Sequence, residues 1–214
     1  MQICRLDFSG TALHLDGCNA VLFWGGIFMK RNSKTYPLVE GALMVAVAQI
    51  LSVIKLWEMP WGGSIVLAMV PIILYAVRWG LGKGLTAAFA FGVLQFMFDG
   101  GFAIGWESII GDYLLAFTAL GLAGLFHGRK YGIFFGTIVG GLARFVVHYV
   151  VGATVWAAYM PEEFLGLQMG SPWFYSCLYN IVYMGPNILI TLAVFAILSA
   201  TPLKKYLDGS DLAQ

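Results

Sequence analysis

Two ionisable side chains, a glycine and a tryptophan follow one another at intervals of four residues in an apolar stretch of the chain. The stretch LARFVVHYVVGATVWAAY, residues 142–159, contains Arg144, His148, Gly152 and Trp156. Positions four apart drift by only about 40° around a helix, so these residues share one broad face. Because charged groups are costly in hydrocarbon, such a face is expected to line a bundle interior or a wet cavity.

A purely structural explanation of this face is the simpler one. Arg144 then pairs with an acid on a neighbouring helix, and His148 is a satisfied polar group of the core. Gly152 leaves a gap beside His148, which suits either a flat ligand or a neighbouring helix. Asp112, in the stretch GWESIIGDYLLAFTALGLAGLF, is in this interpretation the counter-ion of Arg144.

The polar residues of two other apolar stretches favour a binding site instead. Asp112 lies about a turn inside its stretch, and Tyr175 and Asn180 lie in SPWFYSCLYNIVYMGPN. A carboxamide at such depth needs partners, either a helix neighbour or a ligand. A carboxylate compensates positive charge, an indole face supports stacking, and amide and imidazole groups bind ring nitrogens. With His148 and Trp156, the set suits a flat, cationic, nitrogen-rich molecule.

The composition predicts a membrane protein. Of the 214 residues, 60% are hydrophobic and 11% are charged, and the mean hydropathy of +0.82 is far above that of soluble domains. A formal net charge of +1 gives no field that indicates a nucleic-acid partner. The three cysteines are too scattered for a disulfide framework, and no Cys/His cluster has metal-ligand spacing, so we expect no metal.

Six apolar stretches approach the length of about 20 residues that a membrane-spanning helix needs. They predict an all-α integral membrane protein, a compact bundle of six transmembrane helices. The expected spans are about 38–57, 64–79, 83–99, 108–126, 131–158 and 173–198. The second span is short and contains Pro71, so we expect a kinked or tilted helix there.

The basic residues that flank these spans, except Lys55, all fall on one side of such a bundle. They lie before span one, between spans two and three, between spans four and five, and after span six, whereas the opposite loops are mainly acidic. By the positive-inside rule, both the N- and C-termini are expected to be cytoplasmic.

The chain is expected to form a single membrane domain over residues 29–205, followed by a cytoplasmic tail at 206–214. Residues 1–28 contain a short apolar run with mixed charges before it and no small-residue cleavage site after it, which is a poor match to a signal peptide. Met29 is a more natural first residue for the domain. Residues 1–28 are therefore interpreted as an extension or a misassigned start without an assigned function.

Several of these stretches resemble the thiamine-specific substrate-binding (S) component of the energy-coupling-factor (ECF) transporters. The resemblance rests on LARFVVHY with Trp156 eight residues after its histidine, on GDYLLAFTALGLAGLF and YSCLYN, and on KLWEMPWGGSIVLAMVPIILYAVRWG, and it extends from about residue 37 to 200. It implies a six-helix vitamin-capture protein in the prokaryotic plasma membrane. The ligand contacts that it implies, with Arg144 in a supporting role, are Asp112, Tyr113, His148, Trp156, Tyr175 and Asn180.

The same resemblance implies a transporter of several subunits. The S component of this family docks onto a membrane coupling protein through small residues four apart on helix one, which correspond to Ala42 and Ala46, and two cytoplasmic ATPase subunits supply the energy. This chain has no GxxxxGK[ST] loop, so we expect it to use no cofactor and to leave ATP to its partners. The loop EMPWGGS, residues 58–64, is a candidate lid.

Two other classes of function stay open. An S component for another small heteroaromatic vitamin or cation would use the same scaffold. An intramembrane enzyme would need a nucleophile, but Ser171 precedes Pro172 at a loop end, Ser176 has no recognisable elbow, and HExxH is absent from the sequence. We therefore expect a binding protein with no catalytic residues.

Overall fold

Six bundle helices and two small hairpins form most of the part of the chain that the structure describes. The computed structural model describes residues 35–59, 62–98, 103–207, 209 and 211, so the predicted extension at 1–28 lies outside the described residues. The bundle helices are α1 (Tyr36–Val53), α2 (Met69–Trp79), α3 (Leu81–Phe98), α4 (Trp106–Phe126), α5 (Gly132–Thr154) and α6 (Pro172–Ser199), and a short α7 (Lys204–Leu207) follows. Antiparallel pairs are formed by β1 (Trp57–Glu58) with β2 (Ser64–Ile65) and by β3 (Glu163–Phe164) with β4 (Leu167–Gln168).

Five of the bundle helices, all except α2, are long and apolar enough to cross a membrane. Their outward faces expose large apolar side chains, such as Leu43, Phe135 and Leu189. Surfaces of this kind need a lipid solvent, because soluble monomers rarely expose contiguous apolar patches of such extent. The prediction of an all-α integral membrane bundle is confirmed, whereas the cytoplasmic location of the termini stays a prediction.

The second helix is shorter than the predicted span of 64–79. It has 11 residues, because the beginning of that stretch forms strand β2 instead. The side chain of Asn187 on α6 holds this strand: its Oδ1 accepts from the Val66 N–H at 2.9 Å and its Nδ2 donates to the Ser64 carbonyl oxygen at 2.8 Å. These bonds satisfy backbone groups that a helix would otherwise pair, so the apolar run divides into a strand and a short helix.

Pro71 lies in the first turn of α2 and not in the middle of a span. It is the third residue of the helix, where the backbone nitrogen has no intrahelical partner in any case. The proline therefore removes no hydrogen bond and gives no cause for a kink. The kink was predicted because the span was placed at 64–79, which put Pro71 inside the helix, whereas the helix begins at Met69.

Helix α4 departs from α-helical geometry where it carries Asp112. Residues Ile109–Leu115 form a π-helical segment, and Leu120–Phe126 form a 3₁₀ segment. Such π segments are frequent at functional sites. A Cβ on Gly111 would overlap the Val151 side chain, so the glycine lets this part of α4 approach α5. The π segment thus brings the carboxylate of residue 112 against α5.

The C-terminal segment packs onto α2 at the end of the bundle where the α2–α3 turn lies. Arg78, which is 3% exposed, donates to both carboxylate oxygens of Asp211 at 2.7 and 3.1 Å. It also donates to Glu40 of α1 at 2.7 Å and to the carbonyl oxygen of Tyr206 at 2.7 Å. Leu207 is buried beside this network. Part of the segment predicted as a tail is therefore folded against α1 and α2.

Candidate ligand-binding site

A cavity of about 290 Å³ lies among hairpin β1–β2 and helices α1, α3, α4, α5 and α6. The predicted site residues all line it: Asp112, Tyr113, Arg144, His148, Gly152, Trp156, Tyr175 and Asn180. Side chains from three separate apolar stretches therefore converge on one space, which is close to the lower size limit of small-molecule sites. Their contact with a ligand stays a prediction.

Arg144, His148 and Asp112 form a chain of hydrogen bonds in the cavity wall. Arg144 Nε donates to His148 Nε2 at 3.3 Å, and His148 Nδ1 lies 2.9 Å from Asp112 Oδ1. Because Nε2 accepts from the arginine, the proton of the neutral ring is on Nδ1 and points to the carboxylate. Arg144 therefore compensates the charge of Asp112 through the imidazole ring.

The structural and the ligand-binding explanations of this face are compatible with each other. Asp112 does serve as the indirect counter-ion of Arg144, yet the side chains of both residues line the cavity. The guanidinium of Arg144 also lies 4.2 Å from the ring centroid of Phe117, which is a cation–π contact. Arg144 is thus anchored on two sides, and its supporting role at the site stays a prediction.

The carboxylate of Asp112 accepts hydrogen bonds from three side chains. Besides His148 on Oδ1, its Oδ2 accepts from Ser108 Oγ at 3.0 Å and from Trp156 Nε1 at 2.8 Å. Charge-assisted bonds of this kind hold the carboxylate in one orientation. Since each carboxylate oxygen has two lone pairs, Oδ1 keeps one acceptor position for a further donor.

Trp156 lies just beyond the end of α5, although the sequence placed it on the helix. The predicted span ran to residue 158, but α5 ends at Thr154 and a 3₁₀ turn, Ala157–Tyr159, follows. The indole N–H nevertheless reaches Asp112. This bond orients the indole ring next to the carboxylate, so that a cation stacked on the ring would lie close to a negative charge.

Asn180 finds hydrogen-bond partners within its own helix. Its Nδ2 donates to the Ser176 carbonyl oxygen at 2.8 Å and lies 3.2 Å from Ser176 Oγ, and its Oδ1 accepts from the Tyr183 hydroxyl at 2.8 Å. The sequence left open a helix neighbour or a ligand as partner, and the partners that the structure shows lie on α6 itself. The carboxamide oxygen has a second lone pair, which leaves room for a ligand donor.

The gap expected at Gly152 is occupied by α6. A Cβ on Gly152 would overlap the Ser176 hydroxyl and lie 3.6 Å from Asn180 Nδ2. Ser176 Oγ in turn donates to the Tyr149 carbonyl oxygen at 2.8 Å, which ties α6 to α5 at this crossing. A neighbouring helix therefore accounts for this glycine, which also lines the cavity.

The sequence reasoning missed further residues of the cavity wall. Tyr179 and Tyr183 follow Tyr175 at four-residue intervals on α6, and successive ring centroids are 5.6 and 6.0 Å apart. That spacing alone predicts a row of aromatic rings on one face. Helices α1 and α3, which supply none of the predicted ligand contacts, add three polar side chains, Gln49, Ser52 and Gln95. The sequence signal that could have predicted these cavity residues was the presence of a glutamine within each of two apolar spans.

The loop expected to act as a lid contributes to the cavity wall. Gly62, Gly63 and Ser64 line the cavity, and a Cβ on Gly63 would lie 2.6 Å from the Tyr183 ring. The glycine therefore lets the loop backbone rest on the aromatic row of α6. Residues 60 and 61 lie outside the described residues, and movement of the loop stays a prediction.

The fold and the cavity together define a multi-pass cell-membrane protein with an internal polar site. Residues 38–207 match the model of the family described as Thiamine transporter protein (Thia_YuaJ). The chain therefore belongs to the thiamine transporter protein family, and the family expected from the sequence resemblance is confirmed.

Two relatives agree with this assignment. The chain is 31% identical over 189 residues to the thiamine transporter ThiT of Bacillus subtilis (strain 168), with 81% of this chain and 95% of the relative covered. It is 27% identical over 171 residues to the thiamine transporter ThiT of Lacticaseibacillus paracasei, with 71% of this chain and 81% of the relative covered.

Two solved structures have the same fold. ThiT from Listeria monocytogenes superposes with a TM-score of 0.71 at 26% identity, covering 82% of this chain and 99% of that chain. The S component of a bacterial ECF transporter superposes with a TM-score of 0.54 at 15% identity, covering 78% of this chain and 98% of that chain. At 15% identity, the similarity to the S component structure is evidence for the fold alone.

Proposed function

We propose that this chain is the thiamine-binding S component of an ECF-type vitamin transporter, which captures thiamine outside the cell. The support is membership of the thiamine transporter protein family and similarity to relatives named thiamine transporter. The single observation that carries the choice of ligand is the pair formed by the Asp112 carboxylate and the Trp156 indole in the wall of the cavity.

The chemistry of this pair suits thiamine. Thiamine joins a permanently cationic thiazolium ring to an aminopyrimidine ring. A buried cation needs an anionic partner, which Asp112 supplies, and the indole of Trp156 offers a face for stacking. The tyrosine row of α6 adds apolar surface for a flat ring.

Thiamine added to the purified protein is expected to quench its tryptophan fluorescence saturably, because a ligand ring then stacks on Trp156. The quenching should be mostly lost in Trp156→Phe and retained in Trp106→Phe, whose side chain is 68% exposed. A titration across a small panel of vitamins measures both. No response to thiamine together with a saturable response to another vitamin would contradict the proposed ligand and favour the alternative, an S component for a different heteroaromatic cation.

An enzymatic role is less well supported. The hydroxyl of Ser176, a serine of the cavity wall, donates to the carbonyl oxygen of Tyr149 at 2.8 Å. Its proton therefore points to the backbone, whereas an activated nucleophile donates to a general base. We assign no catalytic residue and no cofactor to this chain.

The proposed partners are a membrane coupling protein and two cytoplasmic ATPase subunits. Ala42 and Ala46 lie one turn apart on the exposed face of α1, where small side chains allow another helix to approach closely. Ala42→Phe is expected to abolish co-purification with the coupling module and to leave thiamine affinity unchanged. Val47→Phe, which is 38% exposed in the parent and lies on a different side of the same helix, is the control; equal co-purification of both variants would exclude this docking surface.

A further inference from the structure

A second polar cluster lines the cavity on α1 and α3. It consists of Gln49, Ser52 and Gln95, which come from the two long helices that supply none of the predicted ligand contacts. Ser52 is 7% exposed. Polar side chains in membrane helices are costly unless their hydrogen bonds are satisfied, so this cluster requires an explanation of its own.

The oxygen atoms of this cluster are short of donors. Ser52 Oγ lies 2.7 Å from the Gln49 carbonyl oxygen and 2.9 Å from Gln95 Oε1, but a hydroxyl has only one proton to donate. Within the part of the chain that the structure describes, the buried Oε1 atom of Gln49 has no hydrogen-bond partner. Since a buried acceptor without a donor costs free energy, a donor that enters the cavity would complete the cluster.

We propose that this cluster is a second recognition point for the ligand and that Gln49 is a specificity-determining residue, whose side-chain oxygen accepts a hydrogen bond from a neutral donor of the ligand. The inference rests on the proposed function. Thiamine carries two neutral donors, the hydroxyl of its ethyl arm and the amino group of its pyrimidine. Asp112 then compensates the charge of the ligand, whereas Gln49 selects a donor group.

The nearby cation does not turn this cluster into an anion site. Lys55 lines the same cavity, but its ammonium group is paired with Glu58 Oε1 at 2.5 Å. A phosphate group would therefore bring further acceptors and negative charge to oxygens that already lack donors. The cluster favours a hydroxyl or amino group over a phosphate ester.

The test measures the affinities of three ligands for the purified full-length protein. The ligands are thiamine, an analogue with the hydroxyl replaced by hydrogen, and an analogue with the amino group replaced by hydrogen. The parent protein is expected to bind one analogue about 3- to 10-fold more weakly than thiamine, the range for one neutral hydrogen bond. In Gln49→Leu, the ratio of the dissociation constant of that analogue to the dissociation constant of thiamine should fall to about 1, while the affinity for the analogue stays unchanged. The analogue that binds more weakly than thiamine to the parent protein identifies the donor group.

A ratio of affinities separates recognition from a loss of stability, because a poorly folded variant loses affinity for all three ligands alike. Ile50→Leu, which changes the exposed neighbour of Gln49, should keep both ratios of the parent. Gln49→Met, whose unbranched side chain is similar in length, provides a second variant should Gln49→Leu fail to fold, and its ratio is also expected to fall toward 1. Unchanged ratios in the folded glutamine variants would overturn the inference while thiamine binding stands, whereas a parent protein that binds none of the ligands would overturn the proposed function itself.

Discussion

Asp112 has more roles in the structure than the residue pattern assigns to it. The resemblance implies a ligand contact, whereas the structure shows a carboxylate that already accepts from Ser108, His148 and Trp156. Its charge is available to a cation in the cavity, and its hydrogen bonds hold the imidazole and the indole in place. A substitution at this position therefore acts on the ligand directly and through two neighbouring rings.

Asp112→Asn is expected to weaken thiamine binding by about 1–3 kcal/mol, the scale for losing a charged hydrogen-bond partner. The amide has no negative charge, and its NH₂ group would face side chains that are themselves donors. Isothermal titration calorimetry measures the change. Glu107→Gln, which alters an exposed carboxylate on the same helix, should bind like the parent. Unchanged affinity in Asp112→Asn would remove this carboxylate from the site.

Arg144→Met is expected to lower the melting temperature of the ligand-free protein. The variant leaves the charge of Asp112 without its compensating cation, and breaking a buried charge network from one side is destabilising. Thiamine brings a positive charge of its own, so it should raise the melting temperature of this variant more than that of the parent. Thermal unfolding in detergent with and without thiamine tests both statements, with Lys130→Met, an exposed site, as the control. Equal ligand-induced shifts in Arg144→Met and the parent would contradict the compensating role.

At the scale of the elements, the crossing of α5 and α6 shapes one wall of the site. Gly152 lies against Ser176 at this crossing, and Asn180 follows one turn further along α6. A larger side chain at residue 152 must push the two helices apart or displace the serine. The geometry of the site therefore depends on a position that has no polar group.

Gly152→Ala is expected to destabilise the fold by about 1–3 kcal/mol, the usual cost of overpacking, and to weaken thiamine binding. Gly82→Ala is the matched control, because Gly82 lies exposed on α3 with no side chain or neighbouring element within 4 Å of the position of a Cβ. Its substitution should leave stability unchanged or raise it, since alanine favours helix. Melting temperatures that fall equally in both variants would contradict the tight crossing.

The C-terminal segment is a second case in which contacts between elements matter. Asp211→Asn removes the charge that faces the buried guanidinium of Arg78. We expect a loss of about 1–3 kcal/mol in stability, because Glu40 remains as a partner of the arginine and limits the cost. Glu58→Gln breaks the exposed pair with Lys55 and should cost below about 1 kcal/mol. Similar losses in thermal unfolding of the two variants would show that the C-terminal contact is not a stabilising one.

At the scale of the whole molecule, the distribution of charge decides the orientation of the cavity. The cavity lies at the end of the bundle where α1 ends and α6 begins, beside Ser52 and Tyr175. The basic loops lie at the other end, near the α2–α3 and α4–α5 turns. By the positive-inside rule, the cavity is expected on the outer side of the membrane, where the proposed capture of thiamine requires it.

A fusion of green fluorescent protein to the C-terminus is therefore expected to fluoresce, and a fusion of alkaline phosphatase to the same end is expected to be inactive. Both results follow from a cytoplasmic C-terminus, because the phosphatase folds only after export. Insertion of the phosphatase between β3 and β4 provides the control for the opposite face, and it should be active. The reverse pattern would place the cavity on the cytoplasmic side and contradict capture from outside.

Much of the architecture could be predicted because hydrophobic length and loop charge are local properties of a sequence. The long spans were found to within a few residues, for example 83–99 against Leu81–Phe98. The second span was drawn too long, because strand β2 is held by the side chain of Asn187, more than 100 residues away. Contacts of such range leave no trace in the local pattern.

The sequence by itself determined which polar side chains lie in the membrane and that those of α4, α5 and α6 share an interior space, because a polar group in hydrocarbon must turn away from lipid. Only the tertiary structure decided which groups pair. The π segment of α4 and the register of the helices place Asp112 on His148 and Trp156, turn Asn180 toward Tyr183, and bring Gln49 into the same cavity. Pairing depends on the relative positions of elements, which arise from the packing of all six helices together.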